Sequence, residues 1–335
     1  MLGLRSMFVM GHALFLVTKE GGWKTTLMCY SAMIEADMRK LERQFGVKVD
    51  WTSFEEAFNI RAKYDQAMIP SGLDSYIIQN AETPLQKRLA KMAKAHYEAE
   101  IEKFSKKLKK YEQDVLDFEA KIKSGSKAKD LKEKLEKRRA TVEWHKEKIE
   151  YYEKIEETGA PRVFPNFYAP VIIKDGKEHL IRLMRYHLCP KNGKEMNAFQ
   201  YNLFNARKDR LLDARTWKPV FGKQHAIFPF HRFYESVDDG KGNAKIIYFQ
   251  PKDQEIMWSA AIYEEAKVES GLLRTFAAVT DEPPPEVAAA GHDRCPVFLA
   301  KESFGAWLEP KDMTKEDLVE LLTTVVPTYF EHKAA

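Results

Sequence analysis

Apolar side chains return every three or four positions at Leu85, Leu89, Met92, Phe104, Leu108, Tyr111, Val115, Phe118 and Ile122, with His96 in step and lysine and glutamate between them. Alternating steps of four and three mark a helix packed along one stripe. Ser124-Gly125-Ser126 interrupts the pattern, which resumes at Leu131, Leu135, Val142, Ile149 and Tyr152. Residues 84–157 are therefore expected to form an antiparallel helical hairpin, each arm on the order of 45–60 Å long at the helical rise of 1.5 Å per residue. Mixed charges along it suit a solvated, self-packed insertion, with an arm reaching a partner or DNA as the functional alternative. Nothing in the pattern names that partner.

Outside the hairpin the texture differs. Met33, Met38, Leu41 and Phe45 with interleaved charges predict a helix over 34–45, ended by Gly46. A second short helix is expected over 54–64, with Trp51 and Phe58 in the core, and turn chemistry at Met68-Ile69-Pro70-Ser71-Gly72. Beyond Pro161 the apolar runs are short and β-type: 171–173 and 179–184 around a turn at Lys174-Asp175-Gly176-Lys177, then 226–228, 245–249, 257–262 and 275–279. A closing helix over 315–323 has Thr314 as its cap. Strands punctuated by helices without regular alternation predict an α+β fold, a β-rich core carrying the inserted hairpin.

Composition narrows the class. With 44% hydrophobic and 12% aromatic residues the 335-residue chain should fold, with length for one large or two ordinary domains. A net charge of only +4 means that any nucleic-acid face must come from local clustering. Three widely spaced cysteines, Cys29, Cys189 and Cys295, argue against a disulfide framework and suit a reducing cytoplasm. No zinc-type cysteine spacing, Gly-x-Gly-x-x-Gly or P-loop occurs, so neither a metal nor a cofactor is implied. No segment is apolar enough to cross a membrane as a helix.

The first 27 residues read as a leader or a mis-extended start, because Met28-Cys29-Tyr30-Ser31-Ala32 sits where a start codon could lie. A chain beginning at Met28 and losing it would expose Cys29 with its α-amine and thiol two carbons apart. That 1,2-aminothiol condenses with an aldehyde to a thiazolidine, which an internal cysteine cannot do. An α-amine, with a pKa of about 8, is partly neutral under cellular conditions. Alone, Cys29 reads first as a small buried hydrophobe.

Four islands in the β-rich half carry chemistry: Pro165-Asn166-Phe167-Tyr168-Ala169-Pro170, Asn205-Ala206-Arg207, Phe233-Tyr234-Glu235 and Gly291-His292-Asp293-Arg294-Cys295-Pro296. Singly, each has a structural reading: Glu235 as a surface residue, His292 as a capped loop histidine, Arg207 as a salt-bridge partner. Their order, after a cysteine near a start, resembles the SOS-response-associated peptidase (SRAP) family of abasic-site processing proteins. The resemblance is clear over 161–310, looser over 28–83, and includes Arg185-Tyr186-x-Leu188-x-Pro190 and Trp307-Leu308. The chain departs from the family pattern at Tyr30-Ser31 after the cysteine, at Tyr186 and Ser236 where tryptophan is frequent, and at Asp209.

The resemblance implies a catalytic domain of residues 28–83 and 158–325 interrupted by the hairpin. It implies a sensor for abasic sites in single-stranded DNA that removes its own leading residues and crosslinks through Cys29. Asn205 would position the amine, Glu235 would act as acid and base, and His292 would assist proton transfer. Arg207 and Arg294 would hold phosphates, for which guanidinium forks are suited. Phe167, Tyr168 and Tyr186 are candidates to stack unpaired bases. Two other readings remain at this stage. One is a cysteine hydrolase acting on other proteins through Cys29, His292 and Glu235. The other is a noncatalytic interaction module organised by the hairpin.

Overall fold

The computed structural model describes residues 8–10, 13–17, 23–24, 31–64, 67–125, 130–191, 202–238, 244–252, 254–268, 271–323 and 330–334. Cys29 lies outside the described residues. Two compact units result: Met1–Ile60 with Asp65–Pro70 and Pro161–Ala335, and Arg61–Tyr64 with Ser71–Ala160.

The chain opens with a small antiparallel sheet of β1 (Phe8–Met10), β2 (Ala13–Val17) and β3 (Trp23–Lys24). Next come β4 (Ser31–Ile34), α1 (Met38–Phe45), β5 (Lys48–Val49) and α2 (Trp51–Tyr64). The helix expected from Ile34 starts at Met38 instead. Asp37 caps it by accepting from the Lys40 amide, and the residues before it are spent on sheet pairing. Gly46 closes it at φ 67°.

In the second unit α3 (Ser71–Asn80) precedes α4 (Pro84–Lys123), α5 (Leu131–Glu153) and the short α6 (Ile155–Thr158). Sequence periodicity missed α3, whose start falls in the expected turn. Thr83 and Gln86 form a capping box that fixes the start of α4, with Pro84 at the first helical position. Its 40 residues make it about 60 Å long at 1.5 Å per residue. Ring contacts pair Tyr97 with Tyr152, Phe104 with His145 and Tyr111 with His145, and Arg138 with Asp114 as an ion pair. Early α4 thus meets late α5, so the arms run antiparallel. The base of this unit is polar but satisfied: Arg61 grips Asp74 with two hydrogen bonds of 2.7 and 2.9 Å, and the Tyr97 hydroxyl donates to the same carboxylate at 2.7 Å.

The first unit is built on β6 (Arg162–Val163), β7 (Tyr168–Asp175), β8 (Glu178–Tyr186), β9 (Asn205–Arg207), β10 (His225–Asp238), β11 (Ala244–Pro251), β12 (Met257–Val268) and β13 (Gly271–Asp281). Then follow α7 (Pro285–Ala289), β14 (Cys295–Pro296), α8 (Phe304–Leu308), α9 (Lys315–Leu321) and β15 (Phe330–Ala334). Strands β12, β13, β8, β7 and β10 pair in that order, and β10 pairs back to β12, so the five close a barrel-like circuit. Tyr186, Phe228, Phe230, Phe233, Phe249, Phe276 and Trp307 fill the core. Strand β10 is long enough to serve twice. Residues 225–230 belong to the circuit, whereas Phe233–Asp238 leave it to pair with β11, and residues 230–234 pair with β4. No helix among the described residues is long and apolar enough to cross a membrane.

Candidate active site

The last residues of β13 gather the site. On one edge β9 runs parallel, placing Asn205, Ala206 and Arg207 beside Ala278, Val279 and Thr280. On the other edge β14 runs antiparallel, with Pro296 opposite Thr280 and Cys295 opposite Asp281. Gly291, at φ 94°, allows the chain leaving α7 to turn sharply and deliver His292 ahead of β14. Glu235 arrives from the outer half of β10, held by its register with Ile247.

These elements enclose a cavity of about 420 Å³ lined by Asn205, Arg207, Glu235, His292 and Arg294 among others. All five expected site residues that the structure describes therefore face one space, of a size that suits a small ligand. Glu235 is 3% exposed, and its Oε2 lies 2.8 Å from His292 Nε2. Burial pushes the Glu235 carboxyl up from its ordinary pKa, with the His292 contact opposing it. His292 Nδ1 faces the Arg294 carbonyl at 2.9 Å and the Arg294 amide at 3.3 Å. The ring can thus donate from both nitrogens when charged, or accept from the amide when neutral. Such a pair can pass a proton without moving.

The two arginines differ. Arg207 is exposed and holds Asp209 in a fork of 3.0 and 2.9 Å. Arg294 is anchored on the carbonyl and hydroxyl of Thr280 at 2.6 and 3.2 Å. Asn205 accepts from the Tyr186 hydroxyl on its Oδ1 at 3.1 Å, while its backbone N–H donates to Asn202 Oδ1 at 3.2 Å.

The expected stacking aromatics fare differently. Tyr186 is fully buried, its ring stacked on Phe276 with centroids 5.0 Å apart, and Tyr168 is 4% exposed, so neither can stack a base. Both end or begin strands whose inward faces fill the core. Phe167 is half-buried against Phe164. Conversely, the cavity wall includes Asn202, Arg210, Trp217, Thr280 and Asp293, which sequence reasoning did not select. Asp293 had a visible signal inside the Gly291–Pro296 island, and Arg210 in a short charged run three residues after Arg207. Trp217 had none.

The family model described as SOS response associated peptidase (SRAP) matches residues 28–333. The chain belongs to this family. Relatives include the abasic site processing protein YobE of Bacillus subtilis (strain 168), 29% identical over 48% of this chain and 73% of its own length. YoaM of the same organism, also an abasic site processing protein, is 26% identical over 52% of this chain and 76% of its own. A crystal structure of a protein from Bacteroides thetaiotaomicron aligns at TM-score 0.44 and 20% identity, covering 52% of this chain and 77% of that one.

Two further features of this SRAP chain bear on its chemistry. Cys295 lines the cavity, but burial, and after it the nearby Glu235, push its thiol well above the ordinary pKa. It is held as a neutral thiol, the unreactive form. Elsewhere, Glu35, His231 and Glu255 bring three ligand-type atoms within 4.8 Å of one another. Lys40 pairs with both carboxylates, at 3.0 Å from Glu35 Oε2 and with a close contact to Glu255, so its ammonium offsets part of the cluster's negative charge.

Proposed function

We propose that this protein processes abasic sites in single-stranded DNA by forming a thiazolidine crosslink through Cys29, exposed when the preceding residues are removed autoproteolytically. The observation that carries the reading is the convergence of Asn205, Glu235, His292, Arg207 and Arg294 on one cavity in a member of the SRAP family. The names of the relatives supply the substrate class. Chain connectivity adds support. Ser31 pairs with Tyr234, the neighbour of Glu235. Cys29 precedes Ser31 by two residues in the sequence.

In this reading the closed deoxyribose opens when the proton of its hemiacetal hydroxyl passes to the pair and the ring oxygen is protonated. The neutral amine of Cys29 then attacks the aldehyde carbon, forming a C–N bond and a carbinolamine. Glu235 in its acid form protonates the carbinolamine oxygen, which leaves as water to give an iminium. The thiol adds to that carbon, forming the C–S bond, and its proton returns to Glu235 or His292. One water is released overall, and nothing is oxidised or reduced. Arg207 and Arg294 hold the flanking phosphates.

The test is direct. Protein translated from Met28 should lose that methionine, as read by mass spectrometry, and form a heat-stable adduct with an abasic single-stranded oligonucleotide. Cys29→Ala should form none; an undiminished adduct from it would sink the mechanism. The cysteine-hydrolase alternative is weaker, because His292 already engages Glu235 with one nitrogen and the Arg294 backbone with the other.

A further inference from the structure

The crosslinking reading leaves open what orients Asn205. We infer that Tyr186 is a positioning residue that fixes the Asn205 carboxamide with its NH2 group toward the cavity, as donor to the aldehyde oxygen of the lesion. This rests on the crosslinking reading and refines it, since Asn205 then acts on the electrophile rather than on the amine.

The geometry leaves Asn205 little else to vary. Its backbone is fixed by parallel pairing with Ala278 and by the Asn202 side chain. Only side-chain rotation remains, and the Tyr186 hydroxyl meets Oδ1 at 3.1 Å. Tyr186 cannot shift to accommodate another arrangement, being fully buried between Phe276, Phe204 and Phe228. It also cannot ionise in the working range, because burial and then Glu235 push its pKa well up. The phenol keeps its proton and donates it to Oδ1, so the carboxamide oxygen is the end held at Tyr186. The NH2 end is then the one left for the cavity that Asn205 lines. When the amine attacks, the carbonyl oxygen gathers negative charge, and a donor already in place stabilises it without reorganisation.

Tyr186→Phe keeps the ring and its packing and removes only the hydroxyl. The expected result is a crosslinking rate constant at saturating abasic DNA lowered about tenfold, less than the roughly 10²–10³ for outright loss of an oriented donor, because the Asn205 NH2 group remains but is no longer held in place. Affinity for an oligonucleotide carrying tetrahydrofuran, which has no aldehyde, should be unchanged. Asn205→Asp keeps the acceptor for Tyr186 but loses the donor, and should lose as much rate as Asn205→Ala. The double variant Tyr186→Phe/Asn205→Ala should be no slower than Asn205→Ala alone. Additive losses in the double variant, or a parental rate in Asn205→Asp, overturn the inference. Cys29→Ala is run alongside. If it still crosslinks, the thiazolidine reading falls and this inference with it. If it does not, while Tyr186→Phe reacts at the parental rate, the inference alone falls.

Discussion

Glu235 Oε2 and His292 Nε2 lie 2.8 Å apart with both side chains buried, one on the outer half of β10 and the other on the turn before β14. Burial raises the Glu235 pKa despite the imidazole, so the carboxylic acid persists to higher pH than an exposed glutamate would allow. If that acid supplies the proton for carbinolamine dehydration, crosslinking should slow as pH rises through the raised pKa. Glu235→Gln should remove this limb and cost about 10²–10⁴ in rate, measured by single-turnover gel assays across pH.

The same shift has a consequence for folding. With its folded pKa above the unfolded value, Glu235 contributes stability that is fully present below the unfolded pKa, ordinarily about 4.3, and lost as pH rises through the folded one. Glu235→Gln should therefore melt higher than the parent at neutral pH, with the advantage vanishing near pH 4. Calorimetry across that range checks it. A protein less stable with a buried carboxylic acid in place is the expected trade where that acid serves a function.

Arg207 is held by Asp209 rather than poised for phosphate. A phosphate must compete with that carboxylate, so Asp209→Asn should tighten noncovalent binding of single-stranded DNA. Arg207→Gln should weaken it several-fold and lower the slope of log affinity against log salt by about 0.7, the value for one released counterion on a single strand. Titration at several salt concentrations separates these from effects on the chemical step. Equal affinities for the parent and Arg207→Gln would remove Arg207 from the DNA face.

How much of this was legible in the sequence depends on whether a residue's role is local. The hairpin was visible because Leu89, Leu135 and Val142 answer to a helical period and Ser124-Gly125 to a turn. The described residues that line the cavity were visible as short islands in order, two of them on a single strand each, Asn205-Ala206-Arg207 on β9 and Phe233-Tyr234-Glu235 on β10. What stayed hidden is set by pairing across long chain separations. The circuit of five strands depends on β10 pairing back to β12, and the burial of Tyr186 depends on Phe276 and Phe228 reaching it from other strands. No window around Tyr186 could distinguish a base-stacking ring from a buried one. Ile34 was assigned to a helix for the same reason: its partner, Phe230, is distant in sequence.

In the second unit, Arg61, Asp74 and Tyr97 form a buried polar network from three different helices. Asp74→Asn would leave the Arg61 guanidinium buried without its counterion, at a cost of about 3–5 kcal/mol. Tyr97→Phe removes one hydrogen bond to a charged group and should cost about 1.5–3 kcal/mol. Gly159→Ala offers a separate probe of the same unit, since a Cβ there would lie 2.6 Å from the Ser71 carbonyl oxygen. Denaturant unfolding followed by far-ultraviolet circular dichroism, which the long helices dominate, reads all three. Parental stability in Asp74→Asn would mean that the network contributes nothing.

His225 sets a pH dependence of opposite sign to that of Glu235. The Gly222 amide donates to its Nε2 at 2.8 Å, so Nε2 carries no proton and Nδ1 donates to the Trp307 carbonyl, also at 2.8 Å. Both nitrogens are thus committed in the neutral ring, which stacks on Trp307 with centroids 3.9 Å apart. Burial lowers its pKa to about 4 from the ordinary 6.5. Between those values the unfolded chain takes up a proton that the folded chain refuses, so stability falls as pH drops through 6.5 and the loss is complete near pH 4. The shift corresponds to about 3 kcal/mol. His225→Asn should be less stable than the parent at pH 7, because the groups that the ring satisfies lose their partners, but the gap should close on acidification. Urea unfolding at pH 7 and at pH 4.5 measures it. A gap that stays constant would mean that His225 takes up its proton in the folded protein as readily as in the unfolded one, and that the pairing of α8 with the barrel does not depend on a neutral imidazole.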